Sequence, residues 1–96
     1  MFEVVETLVS AECLGRLKDH RARARINIRI QRLRGGNFGD HSSVGDGVSE
    51  MRFDYGPGYR VYMAIRGRTV VVLLCGGDKS TQQKDIDKAI ELAKEV

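Results

Sequence analysis

Arg52, Arg60 and Tyr62 fall at alternating positions in two neighbouring runs, Val48 to Asp54 and Tyr59 to Arg66, so pairing those runs as strands would bring all three to one sheet face. Lys79 follows a third run and is expected near the same end of the sheet. Guanidinium forks grip phosphate oxygens two at a time and an ammonium adds a point charge, so this set suits an anionic group held against a surface. Periodicity alone equally allows ordinary surface charge balanced by Glu50 and Asp54. Histidine is the residue type suited to proton transfer near neutral pH, but His41 falls in a glycine-rich stretch. Other chemistries lack their residues. His20, His41, Cys13 and Cys75 show no metal-ligand spacing, and nothing around Ser42-Ser43 would activate a nucleophile. Gly77-Asp78-Lys79-Ser80-Thr81 fails as a phosphate loop, because no glycine directly precedes the lysine and Leu73 stands where the first glycine belongs. A helix start after Gly76-Gly77 could still hold an anion, although plain capping is the favoured reading.

A second basic feature is denser. Residues 16–34 hold eight cationic side chains against Asp19 alone, a net of +7 in a chain whose total is +3, so the remainder carries −4. Arginines outnumber lysines eleven to five, which favours phosphate or acidic-protein recognition over a merely solvated helix face. Such a footprint recruits polyanions without reading their sequence.

The elements that must position these groups follow from the patterning. Residues 2–8 are β-branched and short, a first strand. Ser10 fits an N-cap for a helix carrying Cys13, Leu14 and Leu17 on one face. His20 to Leu33 alternates apolar and arginine residues as a strand would, yet Ala22, Ile26, Ile30 and Leu33 also stand at helical spacing; length and the Gly35-Gly36 stop favour helix. The following run, Gly35 to Gly47, reads as loop by composition. Val48 to Asp54, Tyr59 to Arg66 and Thr69 to Cys75 read as three strands, the last apolar on both faces as a covered central strand should be. Ser80 and Gln83 form a capping-box signature before a final helix with Ile86, Ala89, Ile90 and Ala93 inward. The order β-α-α-β-β-β-α predicts an α+β layer fold in a single domain, 1–96. With 42% hydrophobic residues a modest core is affordable, no apolar run reaches the roughly 18 residues that cross a bilayer, and the start of the chain lacks a secretion signal. A cytoplasmic protein with no membrane association is expected, its two cysteines buried thiols.

The blocks Arg32-Leu33, Gly36-Asn37-Phe38-Gly39-Asp40, Val44-Gly45-Asp46-Gly47-Val48-Ser49-Glu50-Met51-Arg52, Tyr55-Gly56-Pro57-Gly58-Tyr59-Arg60-Val61-Tyr62 and Leu74-Cys75-Gly76-Gly77-Asp78-Lys79 resemble those of the RelE/HigB toxins, and more narrowly the small addiction-module killer proteins of bacteria. The likeness spans nearly the whole chain. It implies a RelE-like fold, a mainly antiparallel sheet with the two N-terminal helices packed on it. It also implies an endoribonuclease acting on mRNA, usually on the ribosome, and silenced by a cognate antitoxin. A helix-turn-helix partner would carry the pair to operator DNA, since this chain shows no recognition helix of its own. By position, Arg60 matches the family's catalytic arginine, Lys79 a second basic residue after the last strand, and Arg52 a basic position on the preceding strand. Arg21, Arg25, Arg29 and Arg32, with Tyr62 and His41, are expected to contact RNA. Two departures stand out: Glu50 lies where some relatives carry lysine, and no tyrosine occurs between residues 80 and 96.

Metal-free and cofactor-free cleavage suits this residue set. The substrate's own 2′-hydroxyl attacks the adjacent phosphate, so the protein supplies positioning and charge stabilisation, where loss of one donor costs about 10² to 10³ in rate. Arginine is too weak an acid to serve as base, which leaves Lys79 as the favoured base ahead of His41. Tyr59 or Tyr62 would stack on a base, although a tyrosine in a sheet is more often core. A non-catalytic module holding an antitoxin or nucleic acid is the alternative.

Overall fold

The computed structural model describes residues 2–96; Met1, within the expected domain 1–96, lies outside the described residues. The strands are β1 (Glu3–Glu6), β2 (His41–Gly45), β3 (Val48–Arg52), β4 (Arg60–Arg66) and β5 (Val70–Gly77); the helices are α1 (Leu8–Gly15), α2 (His20–Arg34) and α3 (Gln82–Ala93). They build one five-stranded sheet in the order β1-β5-β4-β3-β2, an antiparallel meander to which β1 adds in parallel, with Glu3 opposite Val70. The architecture is mixed α+β, as the patterning predicts.

The ambiguous arginine-rich stretch is helix. Ala22, Ile26, Ile30 and Leu33 are buried, whereas Ala24 and Ile28, the inward residues of the rival strand reading, face solvent. Asp19 starts this helix by accepting from the backbone N–H groups of Arg21 and Ala22, and Gly36 (φ 95°) carries the chain away after it. Ile26, Ile30 and Leu33 pack on Met51, Phe53, Val61, Met63, Val71 and Leu73. The opposite sheet face buries Val48, Tyr62, Ala64, Val72, Leu74 and Cys75 beneath Ala89 and Ala93 of α3. The sheet is therefore covered on both sides, by α2 on one and α3 on the other. Expectation placed both N-terminal helices together on the sheet; instead α1 reaches both clusters, Leu14 joining the α2 side while Val9 and Cys13 join the α3 side.

Three local readings are corrected. Residues 41–45 are not loop but an edge strand, whose exposure alternates residue by residue and whose polar composition disguises the pairing with β3. The first helix is capped by Thr7, not Ser10: Thr7 Oγ1 accepts from the Ser10 N–H and donates to the Leu73 carbonyl at 2.8 Å. Ser80 does not cap the final helix: Asp78 caps the 3-10 turn Lys79–Thr81 ahead of it by accepting from the Ser80 N–H, and the helix's own N-cap, Thr81, makes no side-chain capping bond. Burial pushes the Cys75 thiol up to about 12, while Cys13 is only half-buried. Among the described residues no helix is long and apolar enough to cross a membrane.

Candidate functional site

The β3–β4 register sets Arg52 directly opposite Arg60 and Glu50 opposite Tyr62, so these four side chains share the α3 face of the sheet. A bulge between β4 and β5, where Tyr62 faces Cys75 but Met63 faces Leu73, inserts Leu74 and leaves Gly77 opposite Arg60. Lys79 follows two residues later, and its backbone N–H bonds the Pro57 carbonyl. Arg52, Arg60 and Lys79 thereby line one open basin of about 330 Å³ with Asp40, Phe53, Asp54 and Gly58. Two glycines make this approach feasible. Gly58 (φ 79°) would put a Cβ 3.3 Å from both Arg60 Nη1 and Lys79 Cβ, and a Cβ at Gly77 would overlap the Asp85 carboxylate.

Each cation is differently engaged. Arg60 is largely buried, its Nη1 donating to the Gly58 carbonyl at 2.8 Å. Its Nε lies 2.7 Å from Glu50 Oε1, but the N–H is not aimed along that line, so the contact is an ion pair without an aligned hydrogen bond. Glu50 is itself only 3% exposed and also accepts from Gln82 Nε2 at 2.8 Å and the Tyr62 hydroxyl at 3.3 Å. One buried carboxylate thus ties β3, β4 and α3 together behind the basin. Arg52 spends its fork differently: Nε and Nη2 both donate to Asp40 Oδ1, at 3.2 and 2.8 Å, and Nη1 donates to Ser42 Oγ at 3.0 Å. These bonds hold the Asp40 carboxyl below the usual carboxylate range and raise Arg52 in turn. Lys79 is exposed.

The remaining expected contact residues fall elsewhere. Tyr62 does not offer its ring to a base: it is fully buried, and burial followed by the neighbouring Glu50 charge raises its hydroxyl pKa. His41 pairs with Met51, which turns it to the α2 face beside Phe38 and away from Arg52 and Arg60. It stands in β2 rather than in a loop. Arg29 is drawn into structure, donating to the carbonyls of Arg52, Phe38 and Asp40, with burial lowering its pKa. Arg25, Arg29 and Arg32 line a second cavity of about 300 Å³ that meets the basin at Phe53 and Asp54. Arg21 is exposed and lines neither cavity. Glu50, Gln82 and Asp40 are the groups that residue patterning missed. Alternation did place Glu50 beside Arg52, but the helix that buries it comes from the far end of the sequence.

Residues 17–96 match the family described as phage derived protein Gp49-like (DUF891). A protein of Haemophilus influenzae strain Rd, described as "Uncharacterized protein", is 53% identical over 94 residues, covering 98% of this chain and 95% of that protein. With the family match running over most of its length, the chain belongs to the phage-derived Gp49-like family, a family associated with toxin–antitoxin modules.

Proposed function

We propose that this protein is the toxin of such a pair, of RelE/HigB type: a metal-independent endoribonuclease that cuts mRNA on the ribosome and is silenced by a cognate helix-turn-helix antitoxin. Operator DNA is reached only through that partner, and the protein works in the cytoplasm. The convergence of Arg52, Arg60 and Lys79 on one open basin is the observation that carries the reading. In it a phosphodiester lies against Arg60, the 2′-hydroxyl of the preceding sugar attacks, and the guanidinium stabilises charge as it builds on the nonbridging oxygens. The attack closes a 2′,3′-cyclic phosphate as the bond to the 5′-oxygen of the next nucleotide breaks; the Lys79 ammonium, exposed at the basin, gives that oxygen its proton, and water takes the proton of the 2′-hydroxyl. Arg52 joins once the phosphate displaces Asp40 from its fork.

The test must separate chemistry from folding, because Arg60→Ala alone strands a buried carboxylate at a cost of about 3–5 kcal/mol. Arg60→Ala combined with Glu50→Gln removes both charges. Translating ribosomes incubated with the wild type and mapped for RNA ends should show new cuts; the double variant, folded by circular dichroism, should show a rate lower by about 10² or more. Undiminished cutting by that folded variant removes Arg60 from the site. A binding module without catalysis is favoured by one observation, that every nitrogen of the Arg52 fork already has a partner. It requires that no cuts appear at all.

A further inference from the structure

The cavity beside the basin has a composition that phosphate binding does not explain. Its walls are planar: the Arg25 guanidinium lies 4.4 Å over the Tyr55 ring, and Arg29 lies 4.6 Å over Phe53. Tyr55 is backed by Tyr59 in a stacked arrangement at 6.5 Å. Ile28, 52% exposed on the solvent side of α2, adds an apolar surface, and Arg32 closes the lining. Arg29 serves as a wall, held flat by three bonds from its fork to the carbonyls of Arg52, Phe38 and Asp40. Asp54 is the one acidic side chain in this lining. Although three guanidiniums share its cavity, Asp54 forms no ion pair or side-chain hydrogen bond among the described residues, and it is exposed where the two cavities join.

Flat cationic and aromatic walls accept an unstacked nucleobase face to face, and a carboxylate with no protein partner accepts hydrogen bonds from that base's edge. Resting on the RNA-cutting reading above, we propose that this cavity is a base subsite for the nucleotide next to the one in the basin, and that Asp54 selects bases bearing an exocyclic amino group. Adenine, cytosine and guanine each bring an amino donor to the carboxylate. Uracil brings carbonyl oxygens to the corresponding positions, and these repel it. The exposed Arg25 and Arg32 supply charge for the sugar-phosphate chain at the mouth.

Short single-stranded RNA oligomers of A, C or U, 2′-O-methylated so that no cleavage can occur, would be titrated against the full chain by fluorescence anisotropy. The A and C oligomers should bind about tenfold more tightly than U. Asp54→Ala should bring that ratio close to one, weakening A and C, which lose an acceptor, and strengthening U, which loses a repelling charge. Arg25→Ala should weaken all three. Equal binding of A, C and U by the wild type, or a ratio that survives Asp54→Ala, overturns the subsite. Base preference without cuts on ribosomes would sink the nuclease reading and leave the subsite standing, whereas cuts on ribosomes with no binding of any oligomer would sink the subsite and leave the nuclease reading standing.

Discussion

Asp40 and Arg52 illustrate how an exposed pair can govern access to a site. The carboxylate occupies the Arg52 fork that the proposed function assigns to a phosphate oxygen, and Arg29 steadies it by holding the carbonyls of Phe38 and Asp40. Because Arg52 holds the folded Asp40 carboxyl below its ordinary value, the pair contributes stability above the unfolded pKa, near about 4, and loses it as pH falls through the folded value. Urea midpoints between about pH 2 and 5 should therefore fall less steeply for Asp40→Asn than for the wild type. Parallel curves would show that the pair contributes nothing to folding. At this scale the sequence named the cations correctly as neighbours, since period-two alternation on paired strands is a strong constraint. It gave no hint of Asp40, because a residue in a glycine-rich run carries no pattern that predicts its partner.

Helix boundaries show where local rules compete. Ser10 and Thr7 are both good caps, and the structure uses Thr7 because its hydroxyl also reaches the Leu73 carbonyl of β5, a bond no local rule contains. Thr7→Ala should accordingly cost about 1–2 kcal/mol in chemical unfolding, and Ser10→Ala should leave that cap intact. If Ser10→Ala proves the costlier change, the cap is misassigned. The arginine-rich helix was legible from four inward residues at helical spacing and a closing glycine pair. The edge strand at 41–45 was not, because serine and glycine satisfy an edge ladder without the apolar alternation that betrays a half-buried strand. Ahead of the final helix Asp78 caps a 3-10 turn that contains the predicted serine, and the helix itself begins after Thr81, so the helix was foreseen and its start was not.

Across the whole molecule, one sheet is clad on both faces, and the two claddings do different work. The α2 side carries large aliphatic residues, whereas α3 approaches through Ala89 and Ala93, both buried. Close approach lets Gln82 reach Glu50 and seals the carboxylate behind Arg60. Ala89→Leu should overpack this layer by about 1–3 kcal/mol, seen as a lowered melting temperature, while Lys88→Ala on the exposed side should be neutral. An unchanged melting temperature for Ala89→Leu would mean that α3 is not closely seated. The sequence conveyed the mixed α+β class because strand and helix periods are local. It could not convey that Tyr62 and Glu50 are roofed over, since that depends on which face a distant helix chooses.

The parallel seating of β1 has a consequence for biosynthesis. Glu3 finds its ladder partner at Val70, and among the described residues β1 pairs with no other strand. A nascent chain halted before residue 70 would hold residues 3–6 without their ladder partners, so β1 joins the sheet only once the distant β5 has been made.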